Sequence, residues 1–148
     1  MKRVLLVEDD EADAELVENA VRRHAAILQL ERAPSADAAW DLLRHRALSG
    51  RSKRPVCVLL DMVMGAHDGV WLLERMSGHP ALCDIPVLAL SQRPDAVRQA
   101  REFANVVGAV EKPADETDRR RLVGDLLRLA GAMGVWPGPR LSPPDPLF

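Results

Sequence analysis

Aromatic side chains and cysteines are scarce in this chain. Its 148 residues include no tyrosine, two phenylalanines and two cysteines. So few aromatic rings leave little material for a base-stacking nucleic-acid surface, and a net charge of −2 lacks the basic excess of a general nucleic-acid binder. Two cysteines do not make a disulfide scaffold, and neither Cys57 nor Cys83 has neighbours at zinc-ligand spacing. We expect two reduced thiols, with Cys57 packed in a strand.

Long hydrophobic runs are absent as well. No run approaches the about 20 apolar residues that a membrane span needs. The basic start Met1-Lys2-Arg3 is followed by only four apolar residues before Glu8, which is too few for a signal peptide. A chain of 148 residues suits one domain whose core needs no metal or disulfide to fold. We therefore expect a cytoplasmic protein.

Apolar residues follow two alternating periods along the chain. Short runs rich in Val, Leu and Ile alternate with longer stretches in which apolar residues recur at helical spacing. Five strands that alternate with five helices predict right-handed crossovers and a parallel sheet covered by helices on both faces. The predicted strands lie near residues 3–8, 28–33, 55–60, 86–90 and 107–111.

The predicted helices have recognisable boundary signals. In the first, apolar spacing puts one set of residues on one side with two valines beside it: Ala12, Leu16, Ala20 and His24, with Val17 and Val21. Ser35 precedes the second helix as a candidate N-cap. The third is expected to begin at Gly69 and to stop before Gly78, the fourth to follow Pro94 as far as Ala104, and the fifth to run from about Asp115 to Ala130.

The residues after 131 have a different composition. Segment 132–148 contains five prolines, which exclude a helix or a central strand, yet it also carries Trp136, Leu141 and Phe148. A disordered end is usually poor in large apolar residues. We expect residues 1–131 to form the domain and residues 132–148 to be a tail that docks on a second subunit.

Charged and polar residues follow the ends of four predicted strands. Glu8 and Asp9 end the first apolar run, Asp61 ends the third, Ser91 ends the fourth, and Lys112 follows the last. In an open parallel sheet these ends meet on one face, where ligands bind. Taken singly, each residue has an ordinary explanation as a cap or a turn residue. Their joint occurrence at successive strand ends favours a functional site.

The expected cluster has the chemistry of phosphoryl transfer. Glu8, Asp9 and Asp61 would repel one another and raise their pKa values, and Mg²⁺, which prefers oxygen ligands, would resolve the conflict. Lys112 adds a second positive centre and Ser91 a hydroxyl. Phosphoryl transfer needs positioning and charge stabilisation of this kind, and a carboxylate can be the covalent acceptor, giving an aspartyl phosphate.

Other acids and histidines nearby have plainer interpretations. Acids suit the first turn of a helix, and an Asp before Gly shapes a turn. The histidines show no mutual spacing for a metal or a catalytic triad, although His67 lies in the loop after Asp61. The acids explained in this way are Asp10, Glu11, Asp13 and Asp68.

Over about residues 1–131 the chain resembles the receiver domain of the two-component response-regulator family. The resemblance rests on Val7-Glu8-Asp9-Asp10, Leu60-Asp61 followed by Asp68-Gly69, Ser91, and Lys112-Pro113. It implies a flavodoxin-like (βα)5 fold with strand order 2-1-3-4-5. It also implies that Asp61 takes a phosphoryl group from a phosphohistidine on a sensor histidine kinase.

The resemblance also implies individual roles. Asp9, Asp61 and the Val63 carbonyl would ligate Mg²⁺ directly, and Glu8 would act through water. Ser91 and Lys112 would hold the phosphoryl oxygens. Pro113 would follow a cis peptide bond.

Two positions depart from the family pattern. Gly65 stands where the family usually has proline, and Ala109 stands where it usually has a large side chain that swings inward on activation. Ala109 cannot do so, and the signal is then expected to travel by backbone shift or by subunit rearrangement.

Several stretches look similar to the subgroup paired with phytochrome-type light-sensing kinases. They are residues 8–23, the long loop before the third strand, and residues 79–86. Members of that subgroup are often dimers through the fourth helix, fifth strand and fifth helix. The broad apolar arc of the fifth helix and the tail favour such a homodimer.

Three functional hypotheses remain from the sequence. The first is a stand-alone response regulator, not an enzyme, whose own chemistry is limited to self-phosphorylation and self-dephosphorylation. The second is a phosphorylation-independent adaptor with a receiver fold, which Ala109 favours. The third, a phosphatase of the haloacid-dehalogenase type, needs an acid two residues after the nucleophile, where this chain has Val63.

Overall fold

The computed structural model describes residues 2–24, 27–50, 53–91 and 93–131. The expected docking of the tail, residues 132–148, lies outside them. The strands are β1 (Lys2–Val7), β2 (Leu28–Ala33), β3 (Cys57–Asp61), β4 (Val87–Leu90) and β5 (Val106–Val110). The helices are α1 (Glu11–His24), α2 (Ala36–Leu48), α3 (Gly69–Ser77), α4 (Pro94–Ala100) and α5 (Glu116–Gly131).

The five strands form one parallel sheet in the order β2-β1-β3-β4-β5. This confirms the predicted doubly wound α/β fold and its strand order. Strand β1 pairs with β2 on one side and with β3 on the other, so the direction of winding reverses between β1 and β3. A crevice forms at such a switch point, outside the carboxyl ends of the strands.

Helices cover both faces of the sheet, which explains the continuous apolar runs of the strands. One core cluster joins a sheet face to α1 and α5, and the other joins the opposite face to α2, α3 and α4. All five residues of β3 are buried, including Cys57. Burial raises the pKa of the Cys57 thiol to about 12, while Cys83 is exposed, and both thiols are free as predicted.

Side-chain caps begin two of the helices. Ser35 Oγ accepts a hydrogen bond from Ala38 N at 3.0 Å, which confirms the predicted cap of α2. Asp68 Oδ1 accepts from Trp71 N at 3.1 Å and is the N-cap of α3. Such caps satisfy backbone N–H groups that the first helical turn leaves without partners.

Two helix predictions are wrong in detail. Helix α4 ends at Ala100 instead of Ala104, because Phe103 N donates to Ala100 O in a tight turn that leads into β5. In α1 the predicted apolar residues Val17, Ala20 and Val21 are buried, but Ala12 and Leu16 are exposed. Ala14, which the prediction left out, is buried, so the core-facing side is centred away from Ala12 and Leu16. Within the described residues, no helix is long and apolar enough to cross a membrane.

Gly69 allows α3 to begin directly against the end of β3. A Cβ atom at this position would lie 2.7 Å from Met62 Sδ and 2.9 Å from Met62 Cα. Gly69 N also donates to Met62 O at 3.3 Å, so the backbone cannot move away without losing that bond. Any side chain here would force the start of α3 away from the loop that follows Asp61.

This close approach predicts opposite effects for two glycine substitutions. Gly69→Ala should lower the free energy of unfolding by about 1–3 kcal/mol, the cost of overpacking against backbone. Gly124→Ala, in α5 where no side chain and no other element would lie within 4 Å of the added Cβ, should raise it by about 0.5–1 kcal/mol, because alanine is the better helix former. Urea denaturation followed by circular dichroism measures both. Equal effects of the two substitutions would contradict the prediction.

Candidate functional site

The parallel sheet gathers the predicted site residues at its carboxyl edge. Glu8 and Asp9 follow β1 and Asp61 ends β3. Strand pairing sets Asp61 opposite Leu90, the last residue of β4, so Ser91 directly follows the neighbouring strand. Lys112 lies two residues beyond the end of β5. The elements that place these residues are thus the ones predicted from the sequence.

The three acids predicted to bind a metal lie together. One carboxylate oxygen from each of Glu8, Asp9 and Asp61 lies within 4.8 Å of the other two. Glu8 and Asp61 are buried and Asp9 is exposed. Mg²⁺ holds oxygen ligands at about 2.0–2.1 Å, so opposite ligands lie about 4 Å apart. The donor set and spacing therefore fit one hard divalent cation.

Asp61 is buried but accessible at one edge. Its Oδ1 accepts a hydrogen bond from Val63 N at 3.1 Å, and its Oδ2 lies 3.2 Å from Lys112 Nζ. The side chain is only 2% exposed. Two donors therefore fix the carboxylate in one orientation, with an oxygen towards Lys112.

Lys112 is the centre of a charge cluster. Its Nζ lies 2.9 Å from Glu8 Oε1 and 2.9 Å from Asp13 Oδ2, in addition to the contact with Asp61. Burial alone would lower the pKa of Lys112, but hydrogen bonds to Asp13 and Glu8 and the charge of Asp61 outweigh burial and raise the pKa. The ammonium group is therefore charged throughout the physiological pH range.

Glu8 is the acid of this cluster whose pKa is raised. Burial, together with the neighbouring Asp61 carboxylate, raises the pKa of Glu8 to about 8, although Lys112 opposes the shift. The backbone position of Glu8 is held by Arg32, whose Nε and Nη2 donate to Glu8 O at 3.2 and 3.0 Å. A bound divalent cation would favour the charged form and offset the raised pKa.

A solvent-open pocket of about 400 Å³ adjoins Asp61. Ser91 is buried, and its Oγ accepts a hydrogen bond from Arg93 N at 3.0 Å. An incoming group can thus approach Asp61 with a hydroxyl and an ammonium at the same opening. The lining residues are Asp13, Asp61, Val63, Ser91, Arg93 and Lys112.

Two residues that were not predicted for the site, Asp13 and Arg93, line the pocket beside Asp61. Asp13 was explained as a helix-start acid, yet it contacts Lys112 and lines the pocket. Its place in the first turn of α1, which begins directly after the acids that follow β1, is the signal that places it near the same edge. Arg93 also lines the pocket, and the sequence contains no comparable signal for it.

His67 lies outside this pocket. Its ring stacks on Trp71, with centroids 4.2 Å apart and an angle of 8° between the planes. Its Nδ1 lies 2.9 Å from Asp37 Oδ1, on α2. His67 therefore links the loop after Asp61 to α2 and α3.

The expected cis bond before Pro113 is not found. No peptide bond within the described residues is cis. The trans form of an X–Pro bond is intrinsically favoured by about 0.5–1 kcal/mol, and Lys112 reaches Glu8 and Asp61 with the trans bond. The contacts of Lys112 thus do not require the cis form.

Comparison with known proteins identifies the family. A model of the response regulator receiver domain matches residues 4–123. The chain belongs to this family. Glu8, Asp61, Ser91 and Lys112, on which the resemblance rests, lie together at the carboxyl edge of the sheet.

Two curated relatives of this receiver domain are regulatory proteins. It is 31% identical to the probable methanogenesis regulatory protein FilR2 of Methanothrix harundinacea over 137 residues, 92% of this chain and 88% of the relative. It is 32% identical to response regulator Rcp1 of Synechocystis sp. over 90 residues, 61% of each chain.

Solved structures show the same fold. The Mn²⁺-bound form of Rcp1 has a TM-score of 0.68 at 28% identity, over 92% of this chain and 94% of that one. The bacteriophytochrome response regulator AtBRR has a TM-score of 0.68 at 26% identity, over 91% of this chain and 94% of that one.

The raised pKa of Glu8 predicts how the stability of this receiver domain changes with pH in EDTA. The unfolded chain releases the Glu8 proton near the ordinary pKa of 4.5, whereas the folded protein keeps it to about pH 8. The folded state therefore binds more protons between these values, and the free energy of unfolding falls as pH rises through them. Glu8→Gln, which stays uncharged, should remove this part of the decline.

Urea denaturation at several pH values measures this decline. Glu11→Gln, which changes an exposed acid in the first turn of α1, is the matched control and should follow the wild type. Parallel pH profiles of the wild type and Glu8→Gln would show that Glu8 is not the group responsible.

Proposed function

We propose that this protein is a response regulator. Asp61 accepts a phosphoryl group from the phosphohistidine of a sensor histidine kinase in a reaction that needs Mg²⁺, and the signal passes on by protein–protein interaction. The observation that carries the proposal is the buried Asp61 carboxylate, which lies 3.2 Å from Lys112 Nζ and opens on a pocket that Ser91 also lines.

The residues present support an in-line transfer. An Asp61 carboxylate oxygen forms a bond to phosphorus as the phosphorus–nitrogen bond of the kinase phosphohistidine breaks, and the electron pair of that bond stays on the imidazole. Val63 N and Lys112 orient the Asp61 carboxylate. In the proposed complex, Lys112 and Ser91 donate hydrogen bonds to the transferring phosphoryl oxygens, where negative charge is spread.

Mg²⁺ is the cation that we propose for the acid cluster. Asp9, Asp61 and the Val63 carbonyl would bind it directly, and Glu8 would bind it through water. When bound, Mg²⁺ neutralises charge on the carboxylates and on the phosphoryl oxygens. The carboxylate spacing supports this proposal, as does the Mn²⁺-bound form of the similar protein Rcp1.

The relatives also support a kinase partner of the phytochrome type. AtBRR is described as a bacteriophytochrome response regulator, and it shares the fold of this chain over most of both lengths. We propose a cytoplasmic histidine kinase of that class as the phosphoryl donor. The stimulus then reaches this protein as a change in the supply of phosphohistidine.

Substitution of the acceptor tests the phosphorylation step. Asp61→Asn should abolish acid-labile phosphate incorporation from acetyl phosphate and Mg²⁺, because the amide cannot form an acyl phosphate. Intact-mass spectrometry measures the adduct. The control Asp68→Asn changes an exposed acid of the same loop and can keep the N-cap of α3, so it should be labelled like the wild type. Unchanged labelling of Asp61→Asn would refute the assignment of the acceptor.

A phosphorylation-independent adaptor is the second candidate, and Ala109 favours it. Ala109 lies in β5 opposite Ala89 and has no large side chain to move when Ser91 closes on a phosphoryl group. For a phosphorylation-dependent switch, we propose that phosphorylation changes a homodimer formed through α4, β5, α5 and the tail, residues 132–148, and does not act through a side chain at position 109. An adaptor would keep one dimer in all states.

Mass in solution separates the two candidates. If the protein is a switch, beryllofluoride with Mg²⁺ should change the dissociation constant of the dimer, as measured by light scattering over a concentration series. Asp61→Asn, which lacks the acceptor, should not respond. A dimer whose dissociation constant is insensitive to beryllofluoride in the wild type would favour the adaptor.

A further inference from the structure

Lys112 contacts three carboxylates, and one of them, Asp13, is not among the predicted site residues. Its Nζ lies 2.9 Å from Glu8 Oε1, 2.9 Å from Asp13 Oδ2 and 3.2 Å from Asp61 Oδ2. An ammonium group has three N–H donors, so these three carboxylates can occupy all of them. A phosphoryl oxygen that binds Lys112 directly must then displace one of the three.

The three carboxylates differ in how readily water can replace Lys112. The side chains of Glu8 and Asp61 are each 2% exposed, whereas that of Asp13 is 39% exposed. A buried carboxylate that loses its cation is left with a charge that little else compensates. Water can solvate Asp13 when its ion pair opens, so this contact is the least costly of the three to break.

Asp13 also faces the space that a phosphoryl group would enter. It lines the same pocket as Asp61 and Ser91. Its backbone is anchored in the first turn of α1, where Asp13 N donates to Asp10 Oδ1 at 2.9 Å. The carboxylate therefore opposes an incoming phosphoryl group in two ways, because it occupies a donor of Lys112 and adds negative charge at the pocket.

We propose that Asp13 is a positioning residue that holds Lys112 in the unphosphorylated protein and yields it to the phosphoryl group on Asp61. This inference rests on the proposed function of Asp61. Phosphorylation then opens the ion pair that joins the loop after β5 to the start of α1. The unphosphorylated state is favoured by the amount that the Asp13 contact contributes.

Beryllofluoride binding measures this contribution. With Mg²⁺ held at saturation, calorimetry should show that Asp13→Ala binds beryllofluoride about threefold more tightly than the wild type, a change in the range of a partly exposed ion pair. Glu11→Ala removes another exposed acid from the same helical turn and should keep the wild-type affinity. In a Lys112→Ala background, most of the gain from Asp13→Ala should disappear.

The outcomes distinguish this inference from the proposed function. A wild type that does not bind beryllofluoride with Mg²⁺ would overturn the role of Asp61, and the inference with it. A wild type that binds, with no gain in Asp13→Ala beyond that in Glu11→Ala, would overturn only the role of Asp13. A gain that persists in full without Lys112 would also overturn it.

A crystal structure of the beryllofluoride form gives an independent measurement. The distance from Lys112 Nζ to Asp13 should exceed about 4 Å, the limit for an ion pair. An unchanged Lys112–Asp13 contact in that form would show that Asp13 does not yield the lysine.

Discussion

The balance of charge around Lys112 is the constraint on which the rest of this structure depends. Two buried carboxylates, Glu8 and Asp61, and the partly exposed Asp13 share this ammonium group, with Asp9 beside them. Burial, together with repulsion from Asp61, raises the pKa of Glu8, and this shift lowers the stability of the folded chain at neutral pH. The same repulsion favours a divalent cation, since a cation relieves it. The site is thus least stable without a divalent cation, which is the state that can bind one.

The packing of the apolar sheet compensates for the loss of folding stability that the charge cluster causes. Strand β3 is buried along its full length, and helices pack against both faces. The close approach of Gly69 to Met62 holds the loop after Asp61 against the start of α3. A rigid frame of this kind keeps acids from different strands within reach of one cation, because the strands cannot move apart to relieve the repulsion.

In the proposed mechanism, Ala109 leaves the charge cluster as the route for a signal. The family usually has a large side chain at this position of β5, and alanine removes the movement of that side chain. Lys112, by contrast, contacts residues that follow β1, begin α1 and end β3. In the proposed mechanism a phosphoryl group on Asp61 redistributes these contacts, and the redistribution reaches α1 through Asp13 and β5 through the backbone of Lys112.

Local patterns were enough to predict the five strands, the N-cap Ser35 and the acids at the strand ends, because apolar period, capping preference and strand termini are properties of neighbouring residues. These patterns failed to predict the end of α4 and the exposure of Ala12 and Leu16 in α1, because packing overrides the local pattern there. The trans bond before Pro113 also differed from the family expectation. Only the tertiary structure decided that Asp13 pairs with Lys112, 99 residues away. No local preference carries that contact, since it exists only after the parallel sheet has brought β5 near the start of α1.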